Sequence, residues 1–299
     1  MLNFNKIKCY PIKERKNKFK LEDMLPLDSD IIENHEIEEL AARIIKAKEI
    51  GAKVIIMIGG AVIKTGCSRI LIDLIDRGII DHIAMNGGAS IHDFEISMIG
   101  ETSENVKNGL EHGNFGMAQE TLVYMNEAIN SGYKNNIGYG EAIGRKIGEM
   151  DFPYKKDNVL YNALKKGKKA TVHIAIGGDI IHQHPTCNGE SLGKTSYIDF
   201  QKLAETISQL KNGVILNIGS AVNLPEVFLK ALTITRNLKY DVRDFTTANF
   251  DFLDMFRPRT RLIEWPKVLG CKGYDIRGDH VKTVPALYQH ILKLSRFIL

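Results

Sequence analysis

The sequence predicts an α/β fold with a doubly wound and mostly parallel sheet. Two short apolar runs, residues 53–60 and 82–88, each stop at a glycine pair, as buried parallel strands often do. Between them, residues 67–77 carry isoleucine and leucine at helical spacing, and Gly78 follows as a helix C-cap. A strand, a helix and a second strand in this order form a crossover, which makes the two strands parallel.

The rest of the chain divides into an arm and one domain. Residues 1–30 are predicted to form a basic N-terminal arm and linker, and residues 31–299 a single domain. Hydrophobic spacing, caps and glycines predict the other elements of that domain. Further helices are predicted at residues 36–50, 90–95, 117–131, 138–149, 157–166, 197–211, 225–238 and 283–298. Further strands are predicted at residues 171–176, 214–218 and 244–247, with a long loop at 100–116.

Small residues follow four of the predicted strands. These endings are Gly59-Gly60, Gly87-Gly88, Gly177-Gly178-Asp179 and Gly219-Ser220-Ala221. Glycines let a ligand approach the backbone, and open α/β sheets bind nucleotides at the carboxyl ends of their strands. None of the endings is a GxGxxG or Walker motif, and each alone equally fits a short connection between a strand and a helix. Together they predict a binding site at this edge of the sheet.

Composition narrows the class of protein. With 299 residues, 44% of them hydrophobic and 25% charged, the chain can bury a full α/β core. It has no apolar run of the roughly 18 residues that a membrane span needs, and no h-region of a signal peptide follows its basic start. The four cysteines are scattered without a CxxC pair, which favours a reducing compartment. We therefore expect a soluble, cytoplasmic protein.

The first twenty residues are strongly basic. Seven lysines and arginines face a single acid, Glu14, so the arm is suited to an acidic partner. It lacks the aromatic residues and glycines that are interspersed among the basic residues of an RNA-binding tail. A solvated or subunit-packing extension is therefore favoured over nucleic-acid binding. An arm that packs against a second subunit fits a homo-oligomer.

His182 and His184 raise a second class of function. Together with Asp179 they offer the side chains of a metal site, which would indicate a metal-dependent hydrolase. No second cluster at ligand spacing accompanies them, and Pro185 marks a turn that hydrogen bonds from the histidines would hold. We therefore predict that no metal is bound. His173 lies inside an apolar strand and is interpreted as a core histidine.

The sequence resembles the deoxyhypusine synthase family over roughly residues 35–298. The similarity lies in three runs, residues 82–95, 177–185 and 217–222. It implies a Rossmann-like domain of the deoxyhypusine synthase type that binds NAD and assembles as a homotetramer. In that family NAD oxidises spermidine, an active-site lysine captures the aminobutyl unit as an imine, and a protein lysine accepts the unit.

The resemblance also implies roles for individual residues. Lys267, in Trp265-Pro266-Lys267-Val268, stands where the family has the lysine that forms the imine, and Trp265 would cover the bound chain. His182 and His184 are assigned to the substrate. The residues implied to bind the cofactor are Gly87, Gly88, Asp93, Asp179, Gly219, Ser220, Ala221, Thr247, Ala248 and Asp279.

The sequence departs from the family pattern in two places. Residues 222–226 lack the histidine that the family carries after its glycine triplet, and Arg257, Arg259 and Arg261 replace an acidic loop. Their positive charge would repel a second cationic end of spermidine. Alternatives to an aminobutyl transferase are therefore a relative that performs another amine or guanidine reaction, the metal-dependent hydrolase, and a non-enzymatic dinucleotide-binding protein. We expect a small amine substrate and, for the transferase, a protein acceptor.

Overall fold

The computed structural model describes residues 2–30 and 32–295, and it contains two sheets. The strands are β1 (Asn17–Lys20), β2 (Val54–Ile58), β3 (His82–Asn86), β4 (Glu101–Glu104), β5 (Lys169–His173), β6 (Val214–Ile218), β7 (Thr246–Asp251) and β8 (Lys272–Arg277). Six of them form a fully parallel sheet in the order β5-β3-β2-β6-β7-β8. Counted within this sheet alone, the order is 3-2-1-4-5-6, that of dinucleotide-binding folds. The predicted doubly wound α/β fold is confirmed.

Helices cover both faces of the parallel sheet. They are α1 (His35–Glu49), α2 (Gly60–Lys64), α3 (Ser68–Asp76), α4 (Gly87–Ile99), α5 (Val106–Glu111), α6 (Gln119–Asn135), α7 (Tyr139–Glu149), α8 (Val159–Lys165), α9 (Gly189–Ile207), α10 (Asn223–Asn237), α11 (Phe256–Pro258) and α12 (His280–Ser295). Ile56 and Ile58 of β2 join the core that includes α1 and α12, whereas Ile55 and Met57 join the core under α9 and α10. Within the described ranges, no helix combines the length and apolar character that crossing a membrane requires.

Several element boundaries differ from the sequence predictions. Helix α4 begins at Gly87 and not at residue 90, because the Asn86 side chain accepts the Ala89 N–H and caps the helix ahead of two glycines. The segment 100–116, predicted as a loop, contains β4 and α5. Strand β8 was not predicted at all. Of the predicted helix 283–298, residues 296–298 lie outside the described part of the chain.

The N-terminal arm packs against its own domain. Strand β1 pairs antiparallel with β4, and Ile12, Phe19 and Met24 are 4%, 5% and 6% exposed. These apolar side chains, spaced among the lysines, bury surface that a solvated arm would leave in water. In the described residues, the segment from Ile12 to Met24 is therefore part of the fold and not a solvated extension.

Candidate functional site

The two central strands end in glycines that touch each other. Strands β2 and β6 are neighbours at the point where the strand order reverses, which is where folds of this order bind their ligands. The Gly59 N–H donates to the carbonyl of Ile218 at 2.9 Å. A Cβ at position 59 would lie 1.9 Å from the carbonyl oxygen of Gly219, so only glycine fits. The turns after β2 and β6 therefore pack directly against each other at this switch point.

Helix α4 continues this edge on one side. Gly60 lies against Gly88 and against the ring of His92, so the turns after β2 and β3 form one surface. His92 Nδ1 is 2.8 Å from the hydroxyl of Thr102, and burial lowers the pKa of His92 to about 4. His92 is therefore a neutral wall of the site at physiological pH.

Two buried polar atoms without partners come from the loop after β5. Asp179 Oδ2 lies so close over Gly87 that a Cβ there would be 1.8 Å from it. His182 Nδ1 accepts the backbone N–H groups of Gly177 and Asp179, each at 3.1 Å. Asp179 Oδ2 and His182 Nε2 are 3.9 Å apart, and among the described residues neither has a hydrogen-bond partner. Burial raises the pKa of Asp179 to about 6 and lowers that of His182.

His280 is a residue that sequence reasoning missed. It begins α12 just after β8, and its Nε2 lies so close to Gly219 that a Cβ there would be 2.7 Å away. Its Nδ1 is buried without a partner in the described part of the chain. Burial lowers the pKa of His280, partly opposed by the charges of Asp251 and Asp279. A prediction of β8 would have found it, because the residues after a parallel strand lie at this edge.

A cavity of about 220 Å³ opens beside α4, and Arg15 from the N-terminal arm and Asp179 line it. Arg15 reaches both oxygens of Glu95, at 2.8 and 2.7 Å, and the hydroxyls of Thr102 and Thr121 donate to the same carboxylate. Burial disfavours the charge of Glu95, but the hydrogen bonds and charge of Arg15 outweigh burial and lower its pKa. The arm thus supplies the buried counter-ion of an acid under the site.

The structure does not bring Asp93 to this edge. Its side chain is fully buried, and its two oxygens accept the N–H groups of Val159 and Leu160 at 2.8 and 3.0 Å. The carboxylate therefore caps the start of α8, and burial raises its pKa to about 7. In contrast to the sequence expectation, Asp93 faces the core and has no oxygen free for a ribose.

Lys267 and Trp265 lie at the opposite edge of the sheet. They belong to a short helix, Trp265–Leu269, that precedes β8, and the carbonyl of Leu269 accepts the N–H of Asp244 just before β7. This contact places the helix at the amino ends of the strands. Lys267 is exposed, and Trp265 is 46% exposed. Within one chain, the structure therefore does not bring these two residues to the glycine endings.

The arginines near Lys267 are neutralised by neighbouring acids. Arg259 bonds Asp254 at 2.6 Å, and Arg261 bonds Glu226 at 2.9 Å, while Arg257 lies 3.3 Å from the same glutamate. Each of the three arginines therefore has a carboxylate partner, and the positive charge that was expected to repel a cationic substrate is balanced within the chain.

The other predicted residues are divided between the edge and the sheet interior. Thr247 and Ala248 are fully buried inside β7, and the Thr247 hydroxyl donates to the carbonyl of Leu262 at 2.6 Å. Ser220 lies at the edge, and its hydroxyl accepts the Leu224 N–H at 3.3 Å. Asp279 precedes α12 at the same edge and is exposed.

No group of three or more metal-ligating side chains occurs in the residues that the structure describes. His184 Nδ1 lies 2.8 Å from the hydroxyl of Thr186, and His182 Nδ1 is occupied by backbone N–H groups. The two histidines that sequence spacing paired as metal ligands therefore have separate hydrogen-bond partners. The prediction that no metal is bound stays a prediction.

Comparison with known families gives one partial match. A profile described as the C-terminal Rossmann fold of ArgZ-like arginine dihydrolases matches residues 38–140, about a third of the chain. This segment runs from α1 through β2 and β3 into the start of α7. None of the curated proteins matches the sequence.

Solved structures are similar over most of the chain. ArgZ, an arginine dihydrolase from the ornithine-ammonia cycle in cyanobacteria, superposes with a TM-score of 0.55 and 14% identity, over 90% of this chain and 33% of its own. AgrE, in a ternary complex with ornithine and NAD⁺, superposes with a TM-score of 0.57 and 16% identity, over 90% of this chain and 35% of its own. A protein provisionally described as a deoxyhypusine synthase from Entamoeba histolytica superposes with a TM-score of 0.52 and 10% identity, over 96% of this chain and 97% of its own. The chain thus spans about a third of ArgZ and AgrE, and at these identities the similarity establishes a Rossmann fold of the kind found in all three.

Proposed function

We propose that the chain is an enzyme that binds NAD at the carboxyl edge of its sheet and uses it in a reaction of a small amine. One observation carries the proposal. The strand order reverses between β2 and β6, and three buried polar atoms without partners in the described residues lie along this edge: Asp179 Oδ2, His182 Nε2 and His280 Nδ1. Buried polar groups are nearly always hydrogen-bonded, so such a collection supports a bound ligand.

The residues at the edge fit a dinucleotide. Gly88 leaves the backbone open to a pyrophosphate, since a Cβ there would meet only Asn86 Oδ1, at 3.7 Å, and Gly219 with Ser220 lines the far side of the switch point. Asp179, with a pKa of about 6, is mostly ionised at neutral pH and offers an acceptor to ribose hydroxyls. Bound NAD would supply the hydride acceptor of the reaction.

His280 is the side chain placed to handle a proton in this reaction. Oxidation of an amine requires the nitrogen to lose a proton, and a general base must lie within reach of that nitrogen. His280 Nε2 lies beside Gly219 at the switch point, and burial keeps the ring neutral and able to accept. The ligands of AgrE, ornithine and NAD⁺, support an amine as the substrate class in this fold.

Transfer of an aminobutyl unit, as the resemblance implies, is a narrower version of the proposal. It requires a lysine at the cleft, and Lys267 lies at the opposite edge of its own sheet. The lysine of a second chain would have to enter, so this version depends on a homo-oligomer such as the implied tetramer. Light scattering that gives a particle of 33.6 kDa would contradict it.

Calorimetry with NAD is the first test. We expect saturable binding, followed by NADH formation with one member of an amine panel that contains ornithine, arginine and spermidine. A His280→Gln variant should keep NAD binding and lose turnover, because the amide cannot take up a proton at neutral pH. A folded protein that shows no heat of binding at millimolar NAD would contradict the proposal.

A further inference from the structure

We propose that Asp179 and His182 act as a pair that holds one hydroxyl of the adenosine ribose of bound NAD. Asp179 Oδ2 would accept a hydrogen bond from the hydroxyl, and His182 Nε2–H would donate one to it. The inference rests on the proposed NAD site and assigns His182 to the cofactor, not to a metal or to the amine. A lone acid, the usual ribose partner in dinucleotide folds, would not require a histidine.

The backbone determines which nitrogen of His182 carries the proton. Nδ1 accepts the N–H groups of Gly177 and Asp179, so its lone pair is engaged and it has no proton. A neutral imidazole must then carry its proton on Nε2. Burial lowers the pKa of His182 and keeps the ring neutral. The Nε2–H is thus a donor fixed in direction, and it has no acceptor among the described residues.

The distance between the two free atoms suits one oxygen atom. Asp179 Oδ2 and His182 Nε2 are 3.9 Å apart, which is too long for a direct hydrogen bond. An oxygen about 2.8 Å from each atom spans this gap with normal hydrogen-bond lengths. The ring of His182 is 6% exposed and the carboxylate of Asp179 is 13% exposed, so bulk water does not replace such an oxygen freely.

The chemistry of the pair selects a hydroxyl. The bridging group must donate to a carboxylate and accept from an N–H at the same atom. An ammonium or a guanidinium has no acceptor, and a phosphate oxygen has no donor at neutral pH and carries the charge of the carboxylate. An alcohol oxygen meets both requirements.

The location points to the ribose on the adenosine side. The pair lies over Gly87, at the end of β3, the second strand in the order of this sheet, and in folds of this order the second strand leads to the adenosine ribose. The strand itself ends in Asn86, which is occupied in capping α4, so the loop after β5 brings the acid instead. Asp179 also lines the cavity of about 220 Å³, which gives the ligand a way in.

The test compares NAD with its 2′-deoxyadenosine and 3′-deoxyadenosine analogues by calorimetry. We expect one of the analogues to bind about tenfold more weakly or worse, because a hydrogen bond to a charged group is lost. His182→Phe and Asp179→Asn should bind NAD and that analogue equally weakly. His184→Phe is the matched control, since His184 contacts Thr186 and not Asp179, and it should keep the discrimination.

Nitrogen NMR of the wild-type protein gives a reading that does not depend on variants folding. We expect His182 to carry its proton on Nε2 and NAD to shift that resonance. Equal affinity for NAD and both analogues would overturn the inference, because a water and not a ribose hydroxyl would then fill the gap. A proton on Nδ1 would also overturn it, because Nε2 could then not donate a hydrogen bond. If NAD itself does not bind, the proposed function fails, and the position of the proton still decides whether the pair is built as argued.

Discussion

Helix α4 and the loop that carries Asp179 make an instructive contrast. Helix α4 begins with the glycine pair after β3, and Asp179 follows the glycine pair after β5, near the same edge of the sheet. Helix α4 carries two buried acids, Asp93 and Glu95, and the loop contributes the buried Oδ2 of Asp179. On α4, the chain satisfies the acids: Asp93 by two backbone N–H groups and Glu95 by Arg15 and two threonines. On the loop, Asp179 Oδ2 has no partner in the described residues. Arg15 lowers the pKa of Glu95, whereas burial raises the pKa of Asp93 in spite of its two N–H partners, and it also raises that of Asp179. Asp179 therefore differs from both acids of α4 in having a buried oxygen that is left for a ligand.

The largest effect is expected where the chain supplies the counter-ion. Arg15→Ala would leave Glu95, 1% exposed, as a buried charge without its cation, at a cost of about 3–5 kcal/mol in the free energy of unfolding. Urea denaturation at neutral pH measures this. Arg259→Ala is the control, because its pair with Asp254 is partly exposed and is worth about 0.2–1 kcal/mol. Similar losses for the two variants would show that Arg15 does not hold a buried charge.

The next largest effect is expected for Gly87→Ala, which changes the contact between α4 and the loop that carries Asp179. The added methyl would lie 1.8 Å from Asp179 Oδ2, so the carboxylate must move, at a cost of about 1–3 kcal/mol and with loss of NAD binding. Gly88→Ala is the matched control for the change in stability, since its Cβ meets only Asn86 Oδ1, at 3.7 Å. It is not a control for NAD binding, because Gly88 faces the proposed pyrophosphate. If Gly87→Ala binds NAD as the wild type does, the position of the carboxylate does not matter for binding.

Asp179→Asn should stabilise the protein while it weakens NAD binding. Burial raises the pKa of Asp179 to about 6 from 3.8, so the folded state penalises the ionised form and stability is lost as pH rises from about 4 to 6. The amide removes this penalty. We expect a gain of about 1–3 kcal/mol at pH 8 that disappears near pH 4, measured by denaturant unfolding at both values. A gain that does not change with pH would contradict the assignment of the penalty to this charge.

Lys267→Ala should have the smallest effect. The side chain is exposed at the edge away from the cleft, so unfolding free energy should change by no more than about 0.5 kcal/mol and NAD affinity should not change. Calorimetry and denaturation check both. Borohydride trapping in the presence of NAD and the amine panel gives the opposing outcome, since an adduct on Lys267 would mean that a second chain brings this lysine to the cleft.

Much of the central fold follows from local patterns. Residues 53–60, 82–88 and 214–218 were predicted as strands and contain β2, β3 and β6, because strands buried on both faces are continuous apolar runs. Helix α1 occupies His35–Glu49, within one residue of the prediction, because its acids, lysines and apolar stripe agree with each other. Strand β8 was not predicted, because Lys, Gly, Asp and Arg interrupt its apolar residues at the edge of the sheet.

The candidate site was less accessible to such patterns. The sequence locates the glycines at strand ends, and the structure brings Gly59, Gly60, Gly88 and Gly219 to one edge. The sequence could not locate His280, because its approach to Gly219 depends on β8, a strand that was not predicted. Nor could it exclude Trp265 and Lys267 from the cleft of their own chain, because a motif states neighbours along the chain and not the edge of the sheet on which they lie.

The sequence by itself determined the α/β class, the crossover around β2 and β3, and the glycine turns, because each depends on residues within a few positions of one another. The tertiary structure alone decided which acids are free. Asp93 is satisfied by Val159 and Leu160 and Glu95 by Arg15, all more than sixty positions away, whereas no hydrogen-bond donor in the described chain reaches Asp179 Oδ2. A carboxylate's role depends on the groups that pack opposite it, and only the fold determines those groups.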